Sequence, residues 1–176
     1  MENLNILKMG EKRLQTRSQE VEVFSNALEN LVETLHQAMQ KQGGVGISAP
    51  QIGINKRVII YGFEKSQRYP NEKPVPLTVL VNPVLTTLTD EVVEGWEGCL
   101  SVPGLRGKVP RYLEIHYAGY TPSGEKKEGI ATGFHARILQ HECDHLDGIL
   151  FPERIKDLKN FGFEDIVWAN IYGQAK

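Results

Sequence analysis

The sequence is short of several things, and each shortage closes off a class of protein. Only two cysteines, Cys99 and Cys143, occur in 176 residues. A small secreted domain stapled by disulfides needs more, and a chain of this length buries roughly 70% of its surface without them, so both thiols are expected to be reduced. No apolar run approaches the ~18 residues of a membrane-spanning helix. The opening stretch, Met1-Glu2-Asn3-Leu4-Asn5-Ile6-Leu7-Lys8, lacks the basic start and apolar block of a secretory signal. A cytoplasmic address with no membrane association is the expectation. Charge of one sign is missing too: 20 basic residues against 22 acidic ones leave −2, so direct nucleic-acid binding is not expected. There is no internal repeat, low-complexity tract or long linker. With 40% hydrophobic residues, a single domain over 1–176 follows.

Residue patterning supplies the elements. Leu28, Leu31, Val32, Leu35 and Met39 recur at the spacing of an amphipathic helix over 25–42, with Ser25 at its N-cap and Gly43-Gly44 ending it. Short β-type runs follow at 57–63 and 77–81, separated by the polar, three-proline stretch 64–76, a surface loop. Leu113, Ile115 and Tyr117 alternate with Glu114 and His116, which places His116 on the solvent side of a half-buried strand. A second helix spans 132–146 and stops at Asp147-Gly148, with Pro152 preventing its continuation. Phe163, Ile166, Val167 and Ile171 mark a last short helix. Helix and strand signals are segregated, which favours α+β over a doubly wound sheet.

The second helix carries His141-Glu142-Cys143-Asp144-His145. Positions four apart share a helix face, so both imidazoles can reach one divalent ion while Glu142 flanks it. A hydrolytic site needs a third protein ligand and an open position for water. Cys143 is poorly placed, because two residues along a helix is a rotation of about 200° from His141. Cys99 remains, in the turn-like context Glu97-Gly98-Cys99-Leu100-Ser101; yet a lone buried cysteine is usually a small hydrophobe, so on the residues alone it is only a candidate. The glycine-rich segment 43–51 lets backbone approach a bound chain and ends in the amide of Gln51. It lacks the Lys-Ser/Thr of a phosphate loop. The fold expected is therefore α+β, with short antiparallel or mixed sheets packed around a central metal-binding helix and a C-terminal helix.

Taken in order, segments 44–51, 97–101 and 140–148 resemble the motifs of the peptide deformylases: Gly-x-Gly-x-Ala-Ala-Pro-Gln, Glu-Gly-Cys-Leu-Ser and Gln-His-Glu-x-Asp-His-Leu-x-Gly. The one departure is Ser48, where the family usually has alanine. The resemblance runs from Leu7 to about Phe151. It implies one divalent metal held by Cys99, His141 and His145, with ferrous iron favoured and zinc, nickel or cobalt able to occupy the same thiolate and imidazole donors. It implies Glu142 as general acid/base, Gln51 and the Leu100 N–H as oxyanion donors, and Gly46 against the substrate backbone. Arg137 and Ile138, one turn before His141, would wall the pocket of the first side chain, Arg137 through its aliphatic stem. Glu97 pairs with Arg111, which we read as structural. The substrates implied are N-formylmethionyl nascent peptides, met near the ribosome.

Two rivals share part of this pattern. A zinc-dependent endopeptidase takes its third ligand downstream; no histidine follows His145, which leaves Glu153 and Glu164. A structural-metal interaction domain would close four ligands and keep no general base. Outside the motifs, Lys126-Lys127 reads as a solvated turn offset by Glu125 and Glu128, and the tail 153–176, with four basic and four acidic residues, offers no basic docking patch.

Overall fold

A computed structural model describes residues 5–172. The first long element is helix α1, Asn26–Lys41, entered through Ser25 at the N-cap, whose carbonyl accepts the Leu28 and Glu29 N–H groups while its hydroxyl makes no cap bond. Gly43, at φ 60°, ends it in the left-handed conformation, and Gly44 N–H returns to the Met39 carbonyl. Strands β1, Gly46–Ser48, β2, Val58–Phe63, and β3, Val75–Thr87, come next, joined after a hairpin by β4, Val92–Cys99, and β5, Val102–Tyr112. Then follow β6, Glu114–Tyr120, β7, Lys126–Thr132, helix α2, Gly133–Leu146, the short β8, Phe161–Phe163, and helix α3, Glu164–Tyr172.

Two antiparallel sheets result, ordered β1-β2-β3-β6-β7 and β4-β5-β8. Alternation along β2 builds the layers. Val58 and Ile60 face α1 through Leu35, Ala38 and Met39, whereas Ile59 and Tyr61 face α2 through Ala136, Leu139 and Leu146. The β-type run read at 57–63 is thus a strand, Val58–Phe63, buried on both faces. α2 also contacts β5 of the smaller sheet, so it lies between the two sheets. The architecture is the expected α+β one, with a C-terminal helix.

Several boundaries move. The strand read at 77–81 extends to Thr87, continuing past a register shift where Asn82 adopts φ 51° and its side chain bonds the Val21 N–H and carbonyl. Asparagine tolerates that conformation because its short polar side chain can satisfy nearby backbone. Lys126-Lys127 are not a turn: the turn is closed earlier, between Thr121 and Glu125, and the two lysines open β7. His116 lies partly exposed with its ring 3.9 Å from Glu128, as a surface position should. Both cysteines are free and buried. No helix among the described residues is long and apolar enough to cross a membrane. The last four tail residues, 173–176, lie outside the described ones.

Candidate active site

Cys99 is the last residue of β4, and the Leu100-Ser101 turn folds the chain straight back into β5 with Cys99 opposite Val102. That turn lays the sulfur against α2. The Cys99 Sγ stands 3.2 Å from His145 Nε2, and one donor atom from each of Cys99, His141 and His145 lies within 4.8 Å of the others. Ligands at roughly 2.1–2.3 Å from a shared tetrahedral ion would be separated by about 3.5 Å, so this donor set fits a divalent metal. Burial alone would push the Cys99 thiol up, but the His145 and His141 rings hold it well below its usual value, which favours the ligating thiolate. Cys143 opens instead onto a separate surface groove on the other side of α2.

One of these candidate donors is oriented from behind. His141 Nδ1 donates to Glu97 Oε2 at 2.9 Å, which leaves Nε2 for an ion. Glu97 in turn accepts from Arg111 Nε and Nη2 at 2.9 and 3.0 Å and from Arg137 Nη1 at 2.9 Å. Despite burial, Arg111 and the His141 bond keep its carboxyl well below the usual carboxylate range. Arg111 also donates to Asp144, which accepts from the part-exposed Arg154. The Glu97–Arg111 pair read as structural is therefore the middle of a chain reaching from the surface to His141.

Glu142 is buried, its Oε2 has no hydrogen-bond partner among the described residues, and burial pushes its carboxyl up to about 7. It abuts Gly46, where a Cβ would overlap the carboxylate unless the Glu142 side chain moved. Gln51 sits in a 3₁₀ turn, Ala49–Ile52; its Oε1 accepts from the Ser48 N–H at 2.9 Å and the Ser48 hydroxyl at 3.1 Å. This fixes the amide so that Nε2 faces Ser101 Oγ at 3.1 Å and Cys99 Sγ at 3.6 Å. Ser48 thus adds a bond where an alanine would have none.

One cavity brings Gly46, Gln51, Cys99, Leu100, Arg137, Ile138, His141 and Glu142 together. β1 and β4 are edge strands of different sheets, and 44–46 and 97–99 line this same space. Residues 3–161 match the sequence pattern of the polypeptide deformylase family. The chain belongs to that family. A peptide deformylase of Pseudomonas syringae pv. tomato is 53% identical over 95% of both chains, and one of Bordetella pertussis 51% identical over 94% of this chain and 95% of that one. Among solved structures, a Met-Ala-Ser-bound class I type b peptide deformylase from Acinetobacter baumannii superposes with a TM-score of 0.83 at 44% identity, covering 86% of this chain and 98% of that one. A Plasmodium falciparum peptide deformylase in complex with an inhibitor gives 0.76 at 33% identity, covering 87% of this chain and 90% of that one.

The rival ligands have other uses: Glu153 accepts the Leu150 N–H and Glu164 pairs with Arg106. Arg137 lines the cavity as expected, but its guanidinium is turned away to Glu97 and to the carbonyls of Val93 and Val109. Sequence patterning missed Arg68, Tyr69 and Phe134, which also line the cavity. The first two belong to the stretch read as a plain loop; Tyr69, an aromatic within that polar run, was the available signal.

Proposed function

We propose that these residues perform the family's reaction, removal of the N-formyl group from the N-terminal methionine of newly synthesised peptides with release of formate, within one catalytic domain spanning 1–176. The observation that carries the reading is a buried carboxylate, Glu142, whose Oε2 has no hydrogen-bond partner among the described residues, beside a Cys-His-His donor set at the cavity. Cys99, His141 and His145 hold a single divalent ion, ferrous iron by resemblance to the family, with zinc, nickel and cobalt compatible with the same donors. When bound, the ion supplies positive charge and a water more acidic than bulk. Glu142 takes the proton of the attacking water and later delivers it to the departing amine, a task suited to a carboxyl poised near 7. Gln51 Nε2 and the Leu100 N–H stabilise the oxygen that gains charge when the formyl carbon is attacked.

The peptide lies extended between β1 and β4, with Gly46 against its backbone and Ile138 and the Arg137 stem beside the methionine side chain. The Met-Ala-Ser peptide in the Acinetobacter structure begins with the residue that deformylation would leave first. Encounter with the ribosome, a cytoplasmic address and the absence of membrane association belong to the same proposal. The test is formate release from a formyl-methionyl peptide by protein purified anaerobically, with its metal content measured. Glu142→Gln is expected to keep fold and metal while losing turnover; normal turnover in that variant overturns the mechanism, and metal without any formate release overturns the function.

A further inference from the structure

The β2–β3 loop brings two consecutive side chains to the cavity, and they are held very differently. Tyr69 is seated: its ring packs on Phe134 at 4.7 Å, the Arg106 guanidinium lies 5.0 Å from its centre, and its hydroxyl accepts the Gly98 N–H at 3.2 Å. Arg68, half-buried and lining the same cavity, makes no hydrogen bond, ion pair or ring contact among the described residues. The neighbouring guanidiniums are engaged: Arg106 with Glu164, and Arg137 with Glu97 and backbone carbonyls. Neither acidic group of the cavity pairs with Arg68 among the described residues. Glu97 is ringed by Arg111, Arg137 and His141, and Glu142 is sealed against Gly46. The anchored tyrosine therefore holds a guanidinium with unspent donors beside the peptide's path.

We propose that Arg68 is a specificity-determining residue that receives a carboxylate carried by the peptide downstream of its first residue; this rests on the deformylase reading above. A guanidinium matches a carboxylate's two oxygens with parallel N–H donors, and at a half-exposed site such a pair favours the charged ligand by about fivefold. Two sources supply that chemistry, an acidic side chain or the free end of a short peptide, and matched substrates separate them. Formyl-Met-Ala-Asp-amide is compared with its Asn counterpart, and formyl-Met-Ala-Ala with its amide, as ratios of kcat/KM within each protein.

In the native protein at least one ratio is expected to favour the carboxylate about fivefold through KM. It should shrink in about 1 M salt, where the screening length falls to about 3 Å. The preference should vanish in Arg68→Ala and invert in Arg68→Glu, and the pair that shows it identifies the source. Ratios near one for both pairs in the native protein overturn the proposal, as does an unchanged preference in either variant. Failure to turn over any of the four peptides would instead count against the deformylase reading.

Discussion

At the residue scale, Gln51 shows how a side chain is aimed. An amide can present either end to a site, and the two Ser48 bonds to Oε1 decide that the nitrogen faces Cys99. Removing the donor with Gln51→Ala is expected to lower kcat by about 10²–10³, the usual loss for one oxyanion donor. Ser48→Ala removes only the hydroxyl bond and leaves the backbone N–H on Oε1, so a loss of about threefold is expected, less than a full hydrogen bond is worth. Steady-state kinetics on one formylated peptide checks both. Equal losses in the two variants would mean that the hydroxyl, not the amide, is the group that matters.

At the element scale, α2 was the most legible part of the chain, because a four-residue histidine spacing has meaning only on a helix. The 3.6-residue period also sets Cys143 apart from the clustered donors of Cys99, His141 and His145, and it opens onto a different groove. Less of the surroundings could be read. Neither Asp144 nor Arg154 carries a periodic signal, and the chain from Arg154 through Asp144 and Arg111 to Glu97 exists only once α2, β4 and β5 are packed together. The destination of the Arg137 guanidinium is unreadable for the same reason. Its position predicts that the stem walls the cavity, but the carbonyls of Val93 and Val109 that accept from the charged end belong to strands remote in sequence. Glu97→Gln replaces an acceptor shared by two arginines and a histidine with an amide, loosening the His141 ring. Metal affinity is expected to fall 10–100-fold, the usual cost of losing a ligand's supporting carboxylate. Competition with a coloured chelator measures it, and unchanged affinity would show that the carboxylate does not orient the ligand.

At the scale of the whole molecule, the donor set adds a further link between the small sheet and α2, which Glu97 and Arg111 already bridge. Cys99 belongs to the three-stranded sheet with Val102, Val109, Leu150 and Phe151 in its own small core, whereas α2 is packed mainly into the larger core formed with β2, β3 and β6. An ion shared by Cys99, His141 and His145 therefore ties the two sheets together at their interface, in addition to anything it does chemically. Binding to the folded state alone stabilises by about 4 kcal/mol at a thousandfold excess over Kd. For a chain of this size that corresponds to roughly 10 °C in Tm. Chelation should lower the calorimetric midpoint by about that much. Cys99→Ala should start from the lower value and respond little to chelator, whereas Cys143→Ala should retain the response. If Cys99→Ala shows the full chelator-dependent shift, the sulfur is not a ligand and the sheets are not joined through it.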